Sequence, residues 1–322
     1  MKKEKIHLII IQSIVIFLVV SSYILIEASS VKAQPISLGI TPPLNEVMIM
    51  PGKEVTQTYT LTNNGSETIV SVDIVPFLPG DSYGNPDLQE FLPGYPLEKV
   101  KSWIIIEDPK INWGGKFLLP RGGSKDITIK IAPPEGAPEG DYYLTMLFKT
   151  STQGLVGKDA LGARAEIGTN ILMTVSNDGN PEKSAQVEEF NAPMIVDSLG
   201  TLSYFIKIAN TGSAFFKPVG EITVKPLFAS PTSIDVAPLN ILSSSERVIP
   251  CIEDGSLFEC KIPKKVLLGI YQADLTFQTD GEGKTYEATT TTIAFPFIIT
   301  LGILISYLVI KLIQSYQSKG AK

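Results

Sequence analysis

The sequence predicts an all-β protein built as two sandwich domains in tandem. Three observations carry this: short runs of alternating apolar and polar residues, Gly, Pro or Asn punctuation every ten residues or so, and no long 3.6-residue period between the apolar ends. Alternation means that each strand buries one face and wets the other. The runs include Thr58–Thr62, then Ile69–Pro76 with Val70, Val72 and Ile74 on one face, and Asp126–Ile131 with Ile127, Ile129 and Ile131 inward. Tyr142–Phe148, Ile171–Val175, Leu202–Ile208, Glu221–Val224 and Tyr271–Phe277 continue the series.

The two ends read as export and anchorage. Lys2, Lys3 and Lys5 precede an apolar run from Ile6 to Ile26, and Val31-Lys32-Ala33 supplies a small-x-Ala exit, which predicts a signal peptide over residues 1–33 cleaved after Ala33. An uncleaved signal anchor would export the following segment equally well. From Ile293 to Ile310 the chain carries no charge, and a helix of that length rises about 27 Å, enough for a bilayer core. The tail, residues 311–322, holds Lys311, Lys319 and Lys322 and no acid, so it is expected in the cytoplasm. The predicted protein is a single-pass membrane protein with its bulk extracytoplasmic.

Formal net charge is -6. The signal region holds four Lys against two Glu and the tail three Lys, which leaves the part between them about eleven charges negative. Such a surface repels nucleic acid and anionic headgroups. An exported part of this size exceeds what one hydrophobic core usually organises.

The pattern occurs twice. Asn63-Asn64-Gly65-Ser66 returns as Asn210-Thr211-Gly212-Ser213, each between two strand runs. Small residues that tolerate positive φ suit such a turn. Farther on, Gly140, Tyr142, Met146, Phe148 and Thr150 correspond to Gly269, Tyr271, Leu275, Phe277 and Thr279 at a constant offset of 129 residues. Tyr142 and Tyr271 sit where immunoglobulin-like sandwiches place a corner tyrosine, whose hydroxyl ties a loop to the start of a late strand. Two immunoglobulin-like domains are therefore expected, over residues 34–178 and 185–292, joined by a polar linker within Asn177–Ala185. The first copy is longer by a Pro- and Gly-rich stretch between Leu78 and Lys101, and long loops of this kind carry function or lack order.

Cys251 and Cys260 are the chain's only cysteines. Asp254-Gly255 between them is a turn signal, which would bring the sulfurs together across a hairpin as a disulfide. Two unpaired thiols are the alternative.

Ile40-Thr41-Pro42-Pro43, Pro51-Gly52, Asn63-Asn64-Gly65, Ser102-Trp103-Ile104, Leu119-Pro120 and the run from Ile131 to Tyr142 occur in an order that resembles the first domain of WxL-interacting proteins. Asn210-Thr211-Gly212, Pro218 to Ile222 and Gly269-Ile270-Tyr271 are similar to the second domain of related bacterial surface proteins. The resemblance implies a first domain that binds cell-wall peptidoglycan and a second that binds a secreted surface protein or host matrix. It brings no residue-level binding motif, and the cysteine pair and the first-domain insertion depart from it.

Catalytic chemistry finds little support. The single histidine, His7, lies in the signal region, which removes from the mature chain the triads, common zinc sites and general bases that use histidine. Arg121-Gly122-Gly123 lacks the spacing of a phosphate-binding loop. No enzyme activity, cofactor or metal is expected. Asp81, Asn85 and Asp87 could group oxygens around calcium, but turn formation accounts for the same residues. Aromatic residues cluster around the insertion. Trp103 reads as core; Tyr83, Tyr95 and Trp113, beside Gly and Pro, are the candidate binding residues, since exposed aromatics stack on sugars and anchor protein interfaces. The function predicted is a non-catalytic envelope protein. A membrane-tethered assembly factor that lends a strand edge to exported subunits, or a structural spacer in a membrane complex, is the alternative.

Overall fold

The computed structural model describes residues 37–89, 96–151, 165–252, 256–262 and 266–320. The signal region predicted over residues 1–33 lies outside them. In chain order, the first half forms β1 (Leu38–Thr41), β2 (Leu44–Ile49), β3 (Val55–Asn63), β4 (Thr68–Pro79) and β5 (Pro86–Leu88). A short helix α1 (Leu97–Lys101) leads to β6 (Ile104–Ile106), β7 (Lys116–Leu119), β8 (Ser124–Ile131), β9 (Gly140–Ser151) and β10 (Glu166–Val175). The second half forms β11 (Ala185–Asn191), β12 (Ile195–Asp197), β13 (Ser203–Asn210), β14 (Pro218–Pro226) and β15 (Thr232–Asp235). After these come β16 (Glu246–Val248), β17 (Cys260–Lys261), β18 (Gly269–Thr279), β19 (Glu282–Phe295) and the helix α2 (Phe297–Gly320).

These strands make two sandwiches with the same plan. In the first, β1-β3-β8-β6 faces β2-β10-β9-β4-β5, with β7 also on β4. In the second, β11-β13-β16 faces β12-β19-β18-β14-β15, with β17 also on β13. Each copy closes one sheet by a parallel pair, β2 with β10 and β12 with β19. The all-β, two-sandwich, immunoglobulin-like class predicted from the alternation is the class observed. Val70, Val72, Ile74, Ile127, Ile129 and Ile131 are all within 1% of complete burial, so the period-two reading assigned their faces correctly. Trp103 is core, edge-on to the Tyr142 ring at 5.1 Å.

The repeated residues have the same jobs in both copies. Tyr142 donates its hydroxyl to the Pro138 carbonyl at 2.9 Å, and the Tyr271 hydroxyl accepts from the Leu268 N–H at 3.2 Å. Gly140 and Gly269 both hold positive φ at the start of these strands, 138° and 90°, where other residues strain. The Asn-x-Gly-Ser turns work differently from expectation. Gly212 is not in the left-handed region; a Cβ there would meet the Ser184 nitrogen at 2.6 Å, so close backbone approach demands glycine. The asparagine organises the turn: buried Asn63 donates to the carbonyls of Ser66, Leu119 and Pro120 and accepts from Gly65 N–H. Asn210 repeats this with Ala214, Ile241 and Gly212.

Cys251 and Cys260 form the predicted disulfide, buried in the second core. The turn predicted at Asp254-Gly255 lies outside the described residues. Cys260 pairs with Tyr204 on β13, whereas Cys251 bridges Val236 next to β15, so the bond ties one sheet to the other. The apolar helix also begins later than its predicted Ile293, at Phe297, because Ile293 to Phe295 pair with β12 as the end of β19.

Replacing Asn210 by Ala removes the three hydrogen bonds of a buried amide. The expected loss is about 1–3 kcal/mol, seen as a lower denaturant midpoint at unchanged slope. Ala at exposed Asn191 should change stability by less than about 0.5 kcal/mol.

Candidate interaction surface at the sandwich junction

The loop after β4 is shaped by one carboxylate. Asp81 Oδ1 accepts the N–H groups of Tyr83 (2.9 Å) and Asn85 (3.1 Å), while Oδ2 accepts the Asn85 side-chain amide (2.7 Å). The Asn85 side chain and then the backbone donors hold the Asp81 carboxyl below its ordinary value. Both Asp81 oxygens are thus engaged by the turn, and Asp87 accepts from Gln89. Among the described residues no group of three or more acidic, Cys or His side chains is placed to hold a metal.

This loop projects Tyr83, half exposed, against the second sandwich. Its ring meets Phe258 edge-on at 4.7 Å. The Val248 N–H donates to the Ser82 carbonyl at 2.6 Å. Gly84, with φ at 88°, packs on Arg247, and a Cβ there would fall 2.3 Å from the guanidinium. Glycine is required at this position by both conformation and space.

The predicted aromatic trio does not assemble as one platform. Trp113 is half buried against the first core and donates Nε1–H to the Ile104 carbonyl at 3.0 Å. Tyr95 lies outside the described residues. The partner of Tyr83 is instead Phe258, in the segment between the two cysteines, with Leu257 and Ile252 also exposed there. A Leu-Phe pair between Ser256 and Glu259 was the available signal, since surface turns are normally polar.

Below this aromatic pair the sandwiches are joined by a polar centre within an apolar patch. Phe77, Tyr143 and Leu172 of the first pack with Phe215 and Leu242 of the second. The Asp141 carboxylate accepts from Thr174 Oγ1 and the Phe215 N–H at 2.6 Å each, and from the Tyr143 hydroxyl. That hydroxyl in turn accepts the Ser243 N–H at 2.8 Å. Glu46 adds bonds to Lys217 Nζ and Asn240 Nδ2, both 2.6 Å. Burial raises the Asp141 carboxyl above its ordinary value against the pull of its donors; burial and then the Asp141 charge raise the Tyr143 phenol.

No family model matches the sequence, and no curated protein matches it. Solved structures with similar folds include a chaperone–tip adhesin complex of CFA/I fimbriae biogenesis, 12% identical with a TM-score of 0.37, covering 80% of this chain and 99% of that one. A Salmonella enterica SafA pilin in complex with the SafB chaperone gives 10%, 0.36, 80% and 97%, and the E. coli chaperone DraB 12%, 0.32, 79% and 96%. Likeness at this level does not reach a partner or an activity. The chain itself is a two-sandwich protein of the immunoglobulin-like class, and one helix at its end is long and apolar enough to cross a membrane.

Asp141→Ala leaves three donors without their acceptor. Stability should fall by about 1–3 kcal/mol, and calorimetry should resolve separate unfolding of the two sandwiches where the native chain unfolds with them coupled. The pH dependence has a definite sign. Because the folded chain keeps the Asp141 proton to higher pH than the unfolded chain, this group's stabilisation is complete below about 3.9 and lost as pH rises through the folded value. Relative to the native protein, Asp141→Asn should therefore gain stability as pH rises across that window, measured by urea midpoints in matched buffers.

Proposed function

We propose that this chain is a non-catalytic envelope protein of the kind WxL-interacting proteins represent, anchored in the membrane by α2 and displaying its two sandwiches outside the cell. One observation carries the anchorage: within α2, the stretch Phe297–Gln314 has a mean hydropathy of 2.1, and none of it is buried by the rest of the chain. Lipid is the medium that covers such a surface. The Lys residues at its far end favour a cytoplasmic tail.

The surface around Tyr83 and Phe258 contacts another protein. Tyr83, Phe258, Leu257 and Ile252 bring two loops, one from each sandwich, into a mixed apolar and polar patch. Aromatic anchors in such a setting contribute most to protein binding. Peptidoglycan is the weaker ligand for this site. Trp113 has its indole N–H on a backbone carbonyl and its ring on the core, so it offers no open sugar platform.

A second reading, an assembly factor that lends a strand edge to exported subunits, is favoured by β5. Its three residues are exposed, among the described residues it pairs only with β4, and it lies in the same loop region as Tyr83.

The test uses the full chain in lipid nanodiscs to capture proteins from the cell envelope. Tyr83→Ser and Phe258→Ser should each reduce retention of the captured protein about tenfold, the effect of roughly 1.4 kcal/mol at a binding hot spot. Retention unchanged by both substitutions refutes the site. Capture of unassembled secreted subunits, lost on blocking the free edge of β5 by Leu88→Pro, selects the second reading.

A further inference from the structure

The geometry points to a second membrane contact besides α2: the end of the second sandwich from which the helix emerges rests in the outer interfacial layer of the bilayer. It deepens the anchorage reading above and rests on it. Three loops form this end. β12 runs parallel to the last residues of β19, with Asp197 opposite Phe295, and Ser198 N–H donates to the Phe295 carbonyl at 3.1 Å. Leu267 N–H then donates to the Ser198 carbonyl, and Leu227 N–H to that of Ile270, each at 2.9 Å. The Phe228 ring lies against Gly269, where a Cβ would sit 2.9 Å from it.

Between them the loops present Met194, Leu199, Leu227, Phe228, Val266 and Leu268, all between 54% and 77% exposed. Sandwich loops facing water rarely carry so many large apolar side chains among their turn residues, and here Ser198, Ser230 and Thr232 are interleaved with them. The described stretches Pro193–Gly200, Pro226–Ser233 and Val266–Ile270 contain one charge, Asp197. It too belongs to the anchor, since its carboxylate accepts the Leu199 N–H at 2.9 Å and the Ile298 N–H, at the start of α2, at 3.0 Å.

Distance fixes the occupant. Only Pro296 separates Phe295 from Phe297, and two residues span at most about 7 Å. The interfacial layer outside the hydrocarbon core is itself roughly 5–8 Å deep on each side. Once α2 enters the core, the loop tips around its start lie within that layer. Lipid interface is the chemistry that suits apolar and aromatic side chains there, while the remainder of the acidic domain stays in water.

The test places an environment-sensitive fluorophore on single cysteines introduced into the full chain, one copy per nanodisc, the native pair being bonded to each other. Probes at Phe228→Cys and Val266→Cys should be quenched severalfold more by a spin label near the lipid glycerol level than a probe at Lys284→Cys, at the other end of β19. A probe at Leu304→Cys, inside α2, should be quenched by deep-chain labels. If the Leu304 probe is quenched and the loop probes match Lys284, the collar is overturned and the anchor stands. If the Leu304 probe also fails to respond, the anchor reading falls and takes the collar with it. Shielding of the loop probes only in discs holding two copies overturns lipid contact in favour of contact between chains.

Discussion

The pleat of a single strand, at the start of β9, sets how this molecule is assembled. Successive residues of a strand face opposite sides. Tyr142 therefore turns inward, with its ring against Trp103 and its hydroxyl on Pro138, while Asp141 and Tyr143 turn outward onto the second sandwich. The corner that closes the first core and the junction that fixes the second domain are thus the same three residues of chain, read on two faces. A shift of one residue in the register of β9 would exchange them, placing a carboxylate in the core and an apolar edge at the junction.

The second copy reuses the same corner at a different boundary. Gly269 and Tyr271 repeat Gly140 and Tyr142, but the outward positions are Ile270 and Gln272 in place of Asp141 and Tyr143. In the first sandwich the strand after the corner strand leads to the linker; in the second it leads to α2. Each sandwich therefore meets its next neighbour through the same end. What changes is the chemistry of that end: a network of hydrogen bonds to the second sandwich in one, exposed apolar side chains around the Asp197 tether to Ile298 in the other.

Much of this was legible because it rests on period and repetition. Strand faces follow from alternation, and the doubled corner tyrosines follow from the constant spacing of Gly140 and Gly269. The rest needed three dimensions. Ile293 to Phe295 are apolar both as strand and as helix, so composition could not divide β19 from α2; parallel pairing with β12 does. Asn63 and Asn210 looked like turn residues, and only the fold shows their amides buried beneath the turn. Trp113 beside Gly114 gave no sign of which way its ring points, and the role of Phe258 depended on a loop brought over from the other domain. The junction was illegible for a plainer reason: Asp141 and Ser243 are 102 residues apart, and neither is unusual in a strand or a turn.

The different chemistry at the two boundaries has a mechanical consequence. Burying the Asp141 carboxylate among Phe77 and Phe215 carries a desolvation cost; Thr174 and Tyr143 of its own sandwich offset part of it, and the Phe215 N–H of the second adds its share only when the sandwiches adopt one relative orientation. A tilt of either domain would lengthen the 2.6 Å bond from the Phe215 N–H and leave that side of the carboxylate against an apolar patch, so the junction selects an orientation more than it adds stability. Apolar contact with lipid has no such angular requirement, because its free energy follows the area removed from water. With α2 anchored as proposed, a chain built this way would hold its two domains as one fixed body while leaving that body free to rotate about the membrane normal. The surface formed by Tyr83 of one sandwich and Phe258 of the other exists only while the domains keep their orientation, and if it binds a partner as proposed, rotation of the whole body would turn it towards that partner.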